Sequence, residues 1–183
     1  MDQIEKKPIL FVHLLEYHKL KDEQVRRIDY RDRLVDVHLV VVGAAIGWAL
    51  THHAYHVFLV IPWVCLILGW AYLVNDDRVG AIGEYIRIHL TPLLREVVGQ
   101  SDAGLFSWEI IHRTDKHRTE RKVWQFVVDL IEFVFSGFLA LGLFVWFESG
   151  ANFGIWLLVA AEAVMLLLLG AQFFRYGDFA RGD

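Results

Sequence analysis

The stretch "WQFVVDLIEFVFSG", residues Trp124 to Gly137, sets two carboxylates, Asp129 and Glu132, three positions apart in an otherwise apolar run. Glu162 stands inside another such run, "FGIWLLVAAEAVMLLLLG", and Asp36 stands near the start of the earliest one. A carboxylate among hydrocarbon costs several kcal/mol unless it is paired, hydrated or protonated, so it faces a bundle interior or water and is a candidate for moving cations or protons. No lysine or arginine lies within these runs. The partners left to the acids are water, a cation, a hydroxyl, another subunit, or a proton of their own.

Depth separates the four acids. At 1.5 Å of helix per residue, Glu132 is roughly 15 Å from Lys122 and roughly 24 Å from Glu148, which puts it in the inner half of a hydrocarbon core with Asp129 at the inner boundary. Glu162 comes out about 15 to 20 Å from the polar residues at either end of its run, the deepest of the charges. Asp36 is about one turn from Arg33, where a solvated helix start accounts for it, and the same holds for His38. Asp129, Glu132 and Ser136 fall within about 60° on a helical wheel and form one polar stripe. The expected ion or proton pathway therefore comprises Glu162, Glu132, Asp129, Asp36 and Ser136, stepping from mid-membrane towards the cytoplasm between the third and fourth runs. The competing reading has Glu132 and Glu162 protonated and hydrogen-bonded between helices as packing devices.

The elements that must position these groups follow from composition. The chain is 183 residues, 56% hydrophobic and 14% aromatic, with mean hydropathy +0.39, too apolar for an ordinary soluble domain. A hydrocarbon core of about 30 Å takes roughly 20 helical residues. Four runs approach or reach that length: Leu34 to Leu50, Tyr55 to Val74, Val123 to Phe147 and Phe153 to Phe174. They pair as two hairpins through "THHAYH" and "ESGANFG". The fold class is thus an all-α integral membrane protein of four transmembrane helices, with a cytoplasmic N-terminal helix (1–33), a cytoplasmic helical connection (76–122) and a short tail (175–183). Of 18 Lys and Arg, eight precede the first run, eight lie between the second and third, two follow the fourth and none is in the hairpin loops. The excess of basic residues marks the cytoplasmic face of an inner (plasma) membrane, with both termini inside.

Residues 10–33 contain no Gly or Pro and run into the first span without a break, predicting one long helix. Val79, Ile82, Ile86, Leu90, Leu93 and Val97 recur every three or four residues, an amphipathic stripe that needs a partner, and Thr91-Pro92 predicts a kink within it. "GQSDAG" breaks the chain before the charged approach "HRTDKHRTERK", which could hold anionic lipid or a nucleotide but which topology alone accounts for.

Other chemistry is sparse. Cys65 is the lone cysteine and reads as packing, which excludes a disulfide framework and a Cys/His site. His52 and His56, with His53 beside them, are weak metal candidates at a hairpin tip that reads first as a wet polar turn. "GAAIG" places Gly43 and Gly47 on one face with Asp36, a helix-packing pattern that serves association or internal packing equally. No nucleophile with a base can be assembled from the spans, so the expectation is a non-enzyme that needs no cofactor and reads no nucleic acid.

The block "LLEYHKLKDEQVRRIDYRDRLVDVHLVVVGAAIG", followed by "PWVCLILGWAYLVNDDRVGAIGEYIR", resembles small prokaryotic helical membrane proteins in which a polar helix enters a transmembrane hairpin. It is loosely similar to the SLATT-type membrane effectors of bacterial conflict and defence systems. The likeness covers about the first 90 residues, and this chain departs from a two-span effector by adding a second hairpin. The resemblance implies a pore-forming or signalling protein triggered by a partner. The expected function is a homo-oligomeric, cation-preferring channel or pore-like effector in the lipid bilayer, gated through its cytoplasmic helices by a regulatory protein or small signalling ligand. A non-conducting scaffold or accessory subunit, and a proton-coupled carrier, are the alternatives.

Overall fold

The computed structural model describes residues 3–98, 118–148 and 150–176, all of the regular structure being helical. The "GQSDAG" break and most of the charged approach lie outside them. α1 (Gln3–His52) is one unbroken rod of 50 residues. It stops where His53 takes a left-handed φ of 53° and the Ala54 N–H turns back to the Ala49 carbonyl, 3.0 Å away, a Schellman-type ending at a non-glycine residue. A 3₁₀ turn (Tyr55–Val60) leads into α2 (Ile61–Tyr85), with Pro62 in the first turn where its missing N–H costs nothing. A π-helical turn (Ile86–Leu90) then joins α2 to α3 (Thr91–Val98). α4 (Arg118–Asp129) passes through a second π turn (Leu130–Phe135) into α5 (Ser136–Phe147). α6 (Phe153–Tyr176) is capped by Asn152, whose Oδ1 accepts the Ile155 N–H at 3.0 Å.

Four of these rods are long and apolar enough to cross a membrane: Pro8–His52, Tyr55–Val97, Glu120–Phe147 and Phe153–Tyr176. Their outward faces carry exposed Val40, Ile67, Leu157, Leu167 and Phe174, while the inward faces hold the core. α2 is central. Its stripe of Ile61, Cys65, Gly69 and Tyr72 is buried, and α1, α5 and α6 all pack on α2. One core cluster, around Phe58, Cys65, Ala140, Phe144 and Leu166, lies towards the hairpin tips. A second, around Leu34, Tyr72, Phe133, Leu169 and Phe173, lies towards the basic end.

Two findings depart from expectation at that basic end. Most of the stripe on residues 79–97 has its partner within the chain: Ile86, Leu90 and Leu94 are buried with Ile82 against Leu10, Tyr17 and Leu20 of α1, while Leu93, expected in the stripe, is exposed and Leu94 takes its place. Directly before Thr91-Pro92, where a kink is expected, the helix widens into the π turn. The Ile86 carbonyl accepts both the Thr91 N–H and, at 2.8 Å, the Thr91 hydroxyl, so the widened turn leaves that carbonyl satisfied.

Glycine lets the rods approach at two interior points. A Cβ on Gly137 would lie 2.7 and 2.8 Å from the Leu166 methyls, and one on Gly69 would lie 3.0 Å from Leu169 Cδ2 and 3.1 Å from Phe133 Cβ. Gly137→Ala is therefore expected to destabilise by about 1–3 kcal/mol through overpacking, and Leu166→Ala in the same chain to recover part of the loss. Thermal unfolding of the two single variants and the double variant measures the coupling. Strict additivity would show that the two sites are not in contact.

Candidate functional site

The third rod delivers Asp129, Glu132 and Ser136 to partners on the other side of the bundle. The Tyr72 hydroxyl of α2 lies 3.5 Å from Gln125 Nε2 and within electrostatic reach of the Asp129 carboxylate. One turn further along, Glu132 Oε1 lies 3.5 Å from His38 Nδ1 of α1. Beyond it, Ser136 Oγ lies 3.4 Å from Cys65 Sγ of α2, and the Ser136 hydroxyl also donates to the Glu132 carbonyl. The rungs are linked crosswise because His38 Nε2 is 3.4 Å from Cys65 Sγ. Ser136, Cys65, His38 and Glu132 therefore form one line of polar atoms across three helices.

The π turn explains how the third rod can serve this line. Its extra residue per turn swings Glu132 towards α1, and the Ser136 N–H closes the turn on the Ile131 carbonyl. Such one-turn insertions recur at functional positions because they re-aim side chains that a regular helix cannot. Phe133, fully buried, fills the space below the imidazole, with ring centroids 4.9 Å apart, and packs on Tyr72 and Phe173.

Burial makes the line chemically costly. His38 is 1% exposed and Cys65 is 0%. His38 Nδ1 and Glu132 Oε1 are close enough for an ion pair but out of line for a hydrogen bond, and both atoms are buried without a hydrogen-bond partner among the described residues. The imidazole is amphoteric, so it can take a proton on one nitrogen and release one from the other.

Below these rungs the polar groups continue to the basic end. Arg31 Nη1 donates to Asp76 Oδ1 at 2.7 Å, Arg27 Nη1 to Asn75 Oδ1 at 3.4 Å, and Asn75 Nδ2 to the Arg27 carbonyl. Asp129 lies within electrostatic reach of Arg31, Asp76 and Glu132. Towards the hairpin tips Glu162 is 0% exposed on the inner face of α6. Its Oε1 accepts the Trp63 Nε1–H at 2.8 Å, while its Oε2 has no hydrogen-bond partner among the described residues.

Several sequence expectations are corrected by this geometry. The polar groups of the third and fourth rods do not meet between those rods; both turn to α2, and Glu132 reaches on to α1. His38, read as part of a solvated helix start, is buried, because α1 continues unbroken through Leu34 and its 34, 38, 42 stripe lies against the bundle. Cys65 is more than packing: a thiol and an imidazole do meet within one chain, and a carboxylate stands behind the imidazole. Asp36 is exposed on the outer side of α1 and joins none of these contacts. Gly43 and Gly47 are exposed too, and a Cβ on either would meet nothing within 4 Å, so they do not pack inside the subunit.

The hairpin-tip imidazoles each have a separate partner: His52 stacks on Trp48, His53 Nδ1 lies 2.9 Å from the Tyr55 hydroxyl, and His56 meets the edge of Phe144. Among the described residues no three His, Cys, Asp or Glu side chains form a group that could hold a metal ion. Comparison with protein-family models, with curated proteins and with solved structures finds no match to this chain.

Proposed function

We propose that this chain is a multi-pass protein of the plasma membrane, with both termini and the paired α1–α3 ends in the cytoplasm, that conducts protons along a relay inside each subunit. The observation that supports the reading is the line Ser136, Cys65, His38 and Glu132, with its two central members buried and its two ends partly buried. At the centre of the line His38 and Cys65, at 1% and 0% exposure, leave no room for a hydrated cation, whereas a proton needs only donors and acceptors in sequence. Glu132 hands on to Asp129 and Tyr72, and the Asp76–Arg31 pair opens to the cytoplasm. Glu162 with Trp63 supplies a buried acid in the outer half. The acids favour cations over anions, in keeping with the cation preference read from the sequence.

A relay within the subunit removes the need for a wide pore at an oligomer axis, and the closed α1–α3 stripe removes the uncovered face that suggested a docked regulator.

The test is the full chain in liposomes holding a pH-sensitive dye, with a potassium diffusion potential driving proton entry. Uptake well above that of empty liposomes is expected. Uptake equal to empty liposomes at both polarities would leave the non-conducting scaffold as the reading. Asp36→Asn is expected to change uptake by less than about twofold, since the outward carboxylate adds only a screened surface charge. A loss as large as that of an interior variant would move the path to the outer face of α1.

A further inference from the structure

Beside the seam where Leu169 packs on Gly69, the outward side of α2 and α6 opens into a groove of about 490 Å³. Leu66, Ile67 and Trp70 line it from α2, and Met165, Leu168 and Gln172 from α6. Ile67, Trp70 and Leu168 are exposed, so the groove faces away from the bundle along its length. We infer that it binds one phospholipid of the cytoplasmic leaflet, with an acyl chain lying along the rods and a zwitterionic headgroup held between Arg175 and Asp77. This binding rests on the membrane placement proposed above and not on conduction.

The groove is as deep as one leaflet. The contacts Trp63–Glu162 and Gly69–Leu169 show that α2 and α6 run in the same direction. Trp63 Nε1 donates to Glu162 Oε1 at 2.8 Å one turn above the lining, and this bond joins the two rods at the upper end. From Glu162 to Gln172 is ten residues, or about 15 Å of helix, half of a hydrocarbon core of about 30 Å. The volume falls within the range of about 300–1,000 Å³ usual for ligand sites. Apart from Gln172 the wall is hydrocarbon, thioether and indole, which gives a chain packing contacts throughout and asks it for no polar partner.

The headgroup follows from the charges at the cytoplasmic mouth. Counted from the Trp63–Glu162 bond, Arg175 is 13 residues further along α6 and Asp77 is 14 further along α2, so the two stand at one depth. Asp77 is seven residues beyond Trp70, hence on the face of α2 that lines the groove, and Arg175 is exposed one turn beyond Gln172. Asp77 has an interaction within the chain as well, and a carboxylate with about four acceptor sites takes an ammonium beside it. A guanidinium pairs with phosphate and a carboxylate with a primary ammonium, so one charge of each sign suits phosphatidylethanolamine better than a net anionic lipid. The Gln172 amide lies between these charges and the apolar wall, the level of the ester carbonyls.

Full-length protein is reconstituted in vesicles of equal parts phosphatidylethanolamine and phosphatidylglycerol with identical acyl chains. It is floated on a density gradient, extracted in mild detergent and weighed by native mass spectrometry. A chain that sinks would remove the membrane placement and this site with it, whereas a chain that floats reports on the groove alone. One phosphatidylethanolamine per chain is expected, favoured about threefold over phosphatidylglycerol, the modest factor that exposed ion pairs supply. Arg175→Gln should lower the retained lipid about threefold on the same ground, and Asp77→Asn should remove the preference while a lipid is still held. Met165→Trp fills the groove and should empty it of lipid, an unchanged unfolding midpoint showing that the bundle has formed. Arg175→Gln, at the exposed end of α6, keeps the test decisive if Met165→Trp unfolds. Lipid retained in the vesicle ratio and unaffected by Arg175→Gln, lipid undiminished in folded Met165→Trp, or a dimer that holds no lipid would each overturn the site.

Discussion

Glu132→Gln is expected to lower proton uptake by about a hundredfold while leaving the unfolding midpoint of the protein nearly unchanged. The magnitude follows from what a positioned acid or base contributes to proton transfer, typically 10²- to 10⁴-fold. Glutamine preserves the volume, the carbonyl acceptor and the fit against His38, but it cannot pass a proton on. That contrast separates the two readings of this acid, since a glutamate kept protonated as a packing device is already a near copy of glutamine. His38→Gln should give a loss of similar size, for the imidazole touches both the carboxylate and the thiol. The double variant should lose little more than either single one, because members of one relay fail together. Full uptake by Glu132→Gln would remove the relay and leave His38 and Glu132 as structural partners. Additive losses would place them on separate paths.

The fold was largely legible because length and hydropathy decide it. The expected spans ending at Leu50 and Phe147 meet rods ending at His52 and Phe147, and the fourth, Phe153 to Phe174, meets Phe153–Tyr176. The unbroken run from residue 10 into the first span appears as part of one helix, since no Gly or Pro interrupts it before Gly43. Depth counting singled out Glu162, which is buried, because 1.5 Å per residue is a firm ruler along a helix. What it could not give was the direction across the bundle. A ruler along one helix says nothing of which neighbour stands opposite, so the polar line was sought between the third and fourth rods when its partners are on α1 and α2.

His38 shows the failure most clearly. Measured from Arg33 it is shallow, and shallow was equated with solvated, yet α1 packs along α2 well beyond the span and buries that turn. One signal was available: Leu34, His38, Val42 and Ala49 share a helical face, and all four are buried. Cys65 was missed for a different reason. A single cysteine carries no pairing information in the sequence, and only the fold brings a histidine 27 residues away to it.

The packing that holds this line in place should fail most sharply at Phe133. Its ring is fully buried, lies 4.9 Å from the His38 ring, stacks on Phe173 and meets the tilted ring of Tyr72. Phe→Ala costs about 3–5 kcal/mol in a water-soluble core. In a bilayer the unfolded chain still surrounds the ring with hydrocarbon, so the transfer part largely falls away and the lost packing contacts remain. About 2 kcal/mol is then expected, a fall of roughly 6 °C in unfolding midpoint for a chain of this size. Gly69 provides the internal control. A methyl there would press on Phe133 Cβ at 3.1 Å and Cγ at 3.2 Å, so Gly69→Ala should itself destabilise by about 1 kcal/mol. Phe133→Ala removes the ring from Cγ outward, and the added methyl then fills part of the void. The double variant should be more stable than the sum of the single losses predicts, by an amount readable in the same unfolding experiment. An unchanged midpoint for Phe133→Ala would mean that the rods close without this ring, and the His38–Glu132 geometry that depends on it would have to be held by something else.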